Sequence, residues 1–230
     1  MKSKKNLLEQ LKSLPHFSKD SLSQLGKQLG LADATVDTYI SRFLKRKEIF
    51  QLKNGLYIST DFFSKNKGNI SYSFYLANII RTPSYISSWS ALQFYNLATE
   101  AIYGITSVTP KVTRSYNTKA GNFIYQSIKE ELFLDFSLKQ GKSASPPLPA
   151  LPALSADRST DGSSDSFNFF IASPAKALFD LLYFKTRQFR GVGSKDIKAL
   201  VEELRIDIEE MDKKERTKFY TMVKKHLNDE

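Results

Sequence analysis

The chain has 230 residues, with 34 Lys and Arg against 24 Asp and Glu, a formal charge of +10. Its apolar residues, 41% of the total, never run long enough to cross a bilayer, which excludes transmembrane helices. Cysteine is absent and histidine occurs only at His16 and His226, which excludes a disulfide framework, a thiolate zinc site and a cysteine nucleophile and leaves little for triad chemistry. No enzyme, metal site or cofactor is expected. Residues 1–14 mix basic charge with leucine and lack the apolar block of a signal peptide, so the expected location is cytoplasmic.

The excess charge is unevenly placed. Residues 1–60 carry +6, residues 61–130 carry +4, and residues 131–230 are neutral. A cationic N-terminal half is the footprint expected of phosphate binding, because each Lys or Arg beside a phosphate releases condensed counterions.

Leu7, Leu8, Leu11 and Leu14 follow helical spacing over 6–14, and Pro15 ends the run. Ser18 then stands before a second periodic stretch, Leu22, Leu25 and Leu29, which Gly30 stops in the position of a left-handed residue. Over 33–47, Val36, Tyr39, Ile40, Phe43 and Leu44 make one apolar stripe and predict a third helix. Residues 49–52 predict a strand, Asn54-Gly55 a tight turn and 56–59 the returning strand. Three helices and a hairpin predict a winged helix-turn-helix domain over 1–60. In that arrangement Thr35, Thr38, Ser41, Arg42, Lys45 and Arg46 face outward on the third helix, toward the major groove of double-stranded DNA. Lys53 and Asn54 at the hairpin tip, and Ser18 and Lys19 at the start of the second helix, would contact the backbone and position the domain. Asp33 and Asp37 suit the helix dipole but repel phosphate; the alternative role for Asp37 is to accept from a cytosine amine.

Residues 61–230 predict an α+β domain. Helices are expected over 71–80 and 87–95, the second capped by Ser87 or Ser88. Strands at 105–109, 112–117 and 122–128 suit an antiparallel meander, with further strands at 132–138 and 167–172. Ser173-Pro174 supplies an N-cap and an N1 proline for a helix over 175–183, and helices at 194–204, capped by Ser194, and 212–227 close the chain. Asp180 is expected to serve as a structural hydrogen-bonding group. Residues 137–166, with Pro146, Pro147, Pro149 and Pro152 among Ser, Ala and Asp, predict a mobile Pro/Ser-rich insert. Lys111, Arg114, Lys119 and Lys129 would form a second basic face if they share one side of the sheet.

Four segments carry a family resemblance: Ser84-Tyr85-Ile86-Ser87 with Ala91-Leu92 and Tyr95; Tyr103-Gly104-Ile105-Thr106-Ser107-Val108-Thr109; Gly121-Asn122-Phe123-Ile124-Tyr125; and Ala172-Ser173-Pro174-Ala175-Lys176-Ala177-Leu178-Phe179-Asp180-Leu181-Leu182-Tyr183. On these the chain resembles the AbiEi-like antitoxins of bacterial abortive-infection and type IV toxin–antitoxin systems. The resemblance departs at Ala32, where similar modules often carry a capping Ser or Thr, and at the proline-rich insert. It implies an N-terminal module that binds operator inverted repeats in its own promoter. It also implies a C-terminal domain that opposes a nucleotidyltransferase-like toxin without needing a stable complex with it. Alternatives from the residues alone are a transcriptional regulator without a toxin, and a winged-helix adaptor that docks on protein.

Overall fold

The computed structural model describes residues 2–99, 103–141 and 166–227. The chain divides into two compact units, Met1–Asn69 with Tyr116–Gly121, and Ile70–Ser115 with Asn122–Glu230. The class is α+β, as the pattern of helices and strands predicts. Among the described residues no helix is long and apolar enough to cross a membrane.

In the first unit α1 (Lys2–Lys12), α2 (Lys19–Gln28) and α3 (Asp33–Lys45) precede the hairpin β2 (Ile49–Lys53) and β3 (Leu56–Ser59). The end of α2 shows why local sequence settles a boundary. Gly30 sits at φ +69°, its N–H donates to Lys27 O at 3.0 Å and the N–H of Leu31 donates to Gly26 O at 2.9 Å. Those two bonds satisfy carbonyls that the helix leaves open, and the left-handed turn they need suits glycine. Leu7, Leu11, Leu22, Val36, Ile40, Phe43 and Ile49 meet in one core. Each such side chain contributes about 1.5–3 kcal/mol as an upper estimate.

Two elements have no period to reveal them. Phe17–Ser18 forms β1, which pairs antiparallel with β3 and stacks Phe17 on Tyr57 at 6.2 Å. Thr60–Lys65 forms α4, capped by the Ser59 hydroxyl, with Phe63 edge-on to Phe50 at 5.3 Å and Asp61 paired to Lys12 of α1 at 3.1 Å. These contacts carry the first unit to Asn69, beyond the boundary expected at 60.

The second unit begins with α5 (Ile70–Ile80), β4 (Tyr85–Ile86), α6 (Ser88–Phe94) and β5 (Ile105–Thr109). A hairpin of β6 (Arg114–Thr118) and β7 (Gly121–Ser127) comes next, its tip Tyr116–Gly121 counted with the first unit, then β8 (Phe136–Gly141) and β9 (Phe167–Ala172). α7 (Pro174–Lys185), α8 (Ser194–Glu203) and α9 (Lys213–Lys224) follow. The sheet order is β6-β7-β5-β4-β9-β8, with β5 parallel to β7 and β4 parallel to β9. The sheet is therefore mixed, and the expected antiparallel meander is corrected. Residues Phe123 and Tyr125 of β7 are buried, whereas Arg114, Ser115 and Asn117 of β6 are exposed. Burying the apolar strand between two neighbours and leaving the polar one at the edge favours this order over chain order.

Part of the expected insert is ordered structure: residues 137–141 belong to β8, which pairs with β9 along its whole length, and the boundary with the remainder is corrected accordingly. Residues 142–165, the proline-rich core included, lie outside the described residues.

Helix starts in this unit mix local and distant capping. Ser173 caps α7 by accepting from the N–H of Lys176, with Pro174 at the first position, as expected. Gly193, rather than Ser194, caps α8, and its N–H donates to Asp196 Oδ2 at 2.8 Å. Ser87 occupies the cap of α6 but its hydroxyl donates to Asp180 instead. The duty passes to Thr106 of β5, whose Oγ1 accepts from the N–H of Ser90 at 3.0 Å and donates to Ser87 O at 2.7 Å. Thr106→Val should therefore cost about 1–2 kcal/mol, read as a lower urea midpoint at unchanged slope.

Candidate nucleic-acid interface

The stripe of α3 puts Val36, Ile40 and Phe43 inside. A helix with one buried side must present the other, and Thr38, Ser41, Arg42, Lys45 and Arg46 are all exposed, with Thr35 half-buried at the rim. Among the described residues Arg42, Lys45 and Arg46 form no ion pair. The Thr38 hydroxyl donates to Ala34 O at 2.9 Å and the Ser41 hydroxyl to Asp37 O at 3.0 Å, so each keeps oxygen lone pairs for an incoming donor. No side chain caps this helix at Ala32.

The two acids of α3 are neutralised by α2. Lys19 Nζ lies 3.1 Å from Asp37 Oδ1 and 3.2 Å from Oδ2, and the Asp37 carboxylate holds the Lys19 ammonium above its usual value. Asp33 accepts from the Ser23 hydroxyl and lies 3.7 Å from Lys27, and these hold its carboxyl below the usual range. Asp33 and Asp37 thus sit on the flank next to α2, away from the outward cations. Lys19, expected to contact the backbone, shares its ammonium with Asp37. Ser18 is likewise engaged, its hydroxyl accepting from the N–H of Ser21 at 3.0 Å as the N-cap of α2.

The hairpin tip carries Lys53, half-buried, and Asn54, exposed, with Gly55 at φ +73° and a register shift between Gln51 and Lys53. The N–H of Lys19 donates to Gly55 O at 2.9 Å, which ties the tip to the start of α2. Lys47, at φ +59° just past α3, adds an exposed cation to Lys45 and Arg46. Only the run of three bases in the sequence signals it.

The second basic set is divided by the fold. Lys111 follows β5, Arg114 opens β6 and Lys129 follows β7, so strand direction puts these three at one end of the sheet. Lys119 lies in the turn between β6 and β7 and belongs to the first unit, whereas the other three belong to the second. Lys129 pairs with Glu131 at 3.7 Å, so an acid stands among them. The condition for a second basic face, four cations with no acid among them, is not met, because Glu131 stands beside Lys129.

Comparison with known protein families and with curated proteins found no match to this chain.

Proposed function

We propose that the protein is a DNA-binding autorepressor built on an N-terminal winged helix-turn-helix, with α3 as its reading helix. We further propose that it serves as the antitoxin of a type IV toxin–antitoxin system, countering a nucleotidyltransferase-like toxin. The observation that carries the DNA half is the outward side of α3, where Arg42, Lys45 and Arg46 stand exposed without ion-pair partners and both acids are turned toward α2. An uncompensated cationic helix face of this size matches a phosphate-lined groove. The antitoxin half rests on the four segments that resemble the AbiEi-like family. A cytoplasmic location follows from the same reading.

Gel-shift titration against DNA upstream of the gene tests the first half. Affinity should fall by roughly three orders of magnitude between 50 and 200 mM salt if about six phosphates are neutralised. Arg42→Ala should cost about 1–3 kcal/mol at one base position, whereas Lys53→Ala should weaken all sequences alike. Binding that is absent, or indifferent to salt, overturns the DNA half. Co-expression with the neighbouring gene product tests the second half: restored growth supports the antitoxin, and continued toxicity leaves a regulator alone.

A further inference from the structure

Where α5 ends, two cations reach across to each other's backbone. Arg81 directly follows the helix and is only 8% exposed. Its Nη2 donates to Val112 O at 2.5 Å, and its Nε is buried without a hydrogen-bond partner. Lys111, the neighbour of Val112, donates from Nζ to Thr82 O, the neighbour of Arg81, at 2.6 Å. This crossed pair puts a guanidinium and an ammonium on two adjoining segments, each against a carbonyl next to the other residue. Among the described residues neither has a carboxylate within ion-pair distance.

Such an arrangement is costly on its own. Arginine is almost never this buried unless paired, and one carbonyl meets only one of its five donors. The C-terminal end of α5 supplies about half a negative charge, well short of the two positive charges held there.

We infer that Arg81 and Lys111 form an anion site that takes a phosphate group. A tetrahedral dianion accepts from the guanidinium edge and from the ammonium together, and its two charges match the two cations. Because Arg81 is nearly enclosed, the occupant is small, either inorganic phosphate or the phosphate of a mononucleotide, rather than the backbone of a duplex. This site stands independently of the function proposed for α3.

Thermal unfolding followed by Trp89 fluorescence tests it, comparing phosphate with chloride at matched ionic strength, then a 5′-mononucleotide, then a short duplex. Phosphate should raise the midpoint saturably, as a ligand of the folded state does, and a tighter response to the mononucleotide would identify that as the source. Lys111→Ala and Arg81→Gln should each weaken the phosphate dissociation constant about tenfold, the loss of one charge-assisted hydrogen bond. Lys111 is exposed, so its variant carries the test if Arg81→Gln does not fold. No difference between phosphate and chloride overturns the site, as does unchanged phosphate affinity in Lys111→Ala. Stabilisation by the duplex that Lys111→Ala abolishes, with none by phosphate or the mononucleotide, also overturns it and assigns these cations to a polynucleotide backbone.

Discussion

Lys176→Met is expected to destabilise the second unit by about 3–5 kcal/mol, the cost of leaving a buried charge without its partner. Lys176 and Asp180 are both fully buried one turn apart on α7, with Nζ 2.6 Å from Oδ1. The other carboxylate oxygen accepts from the Tyr85 hydroxyl at 3.0 Å and from the Ser87 hydroxyl at 2.6 Å. The ammonium also stands 4.9 Å from the centre of the Phe179 ring. Every strong polar atom of the pair is thereby used, and the network joins α7 to β4 and to the start of α6. Trp89, the single tryptophan, lies in α6 and reports unfolding of this unit.

The effect should depend on pH in a definite direction. Burial pushes the Asp180 carboxyl up, and the Lys176 ammonium and the Ser87 and Tyr85 hydroxyls pull it back. Without the ammonium the carboxyl rises further. A carboxyl raised in the folded state binds its proton more tightly there than in the unfolded chain, so stability falls as pH climbs from the ordinary carboxylate value toward the raised one. The deficit of Lys176→Met should therefore shrink on acidification from about pH 8 to about pH 5. A deficit that is constant, or that grows on acidification, contradicts an ionised Asp180 as the source of the loss. Replacing both residues, as in Lys176→Met with Asp180→Leu, should recover part of the stability, since no charge is then stranded. The hydroxyls of Tyr85 and Ser87 would remain unsatisfied, so recovery should be incomplete.

Gly26→Val should cost about 3 kcal/mol and, on the proposed reading of α3, reduce DNA affinity through the placement of that helix. A Cβ at Gly26 would lie 2.3 Å from Val36 Cγ2, far inside contact distance. Val36 is β-branched and stiff within its helix, so it cannot swing aside cheaply, and overpacking of this kind costs about 1–3 kcal/mol before the second and third methyl carbons are added. The intrinsic gain of removing a helical glycine, about 1 kcal/mol, does not offset it. Gly26→Ala with Val36→Ala should be more stable than the two single costs predict, by about 1 kcal/mol, because the added carbon enters space that the valine vacates. Strict additivity in urea unfolding would mean that the two helices do not meet through these atoms.

The period of Val36, Ile40 and Phe43, the cap at Ser173-Pro174 and the stop at Gly30 all act within a turn or two of chain. They are therefore legible without knowing what lies opposite, and they locate the outward cations of α3. Partners distant in sequence are not legible in the same way. Nothing local distinguishes a Lys19 aimed at phosphate from one held by Asp37, or an exposed Arg81 from an enclosed one. β1 and β4 escape notice because two residues carry no period. Ser87 looks like a cap and is one by position, yet its hydroxyl is drawn to an acid 93 residues away.

The amino-acid order alone determines where the long periodic helices lie, which side of each is apolar, and that the positive charge gathers in the first 130 residues. Only the tertiary structure decides that β7 enters between β5 and β6, that Lys119 falls in the first unit and Lys111 and Arg114 in the second, and that Lys176 is buried against Asp180. Periodicity and capping arise from bonds three or four residues long, whereas strand order and ion pairing depend on which distant surfaces compete to leave water.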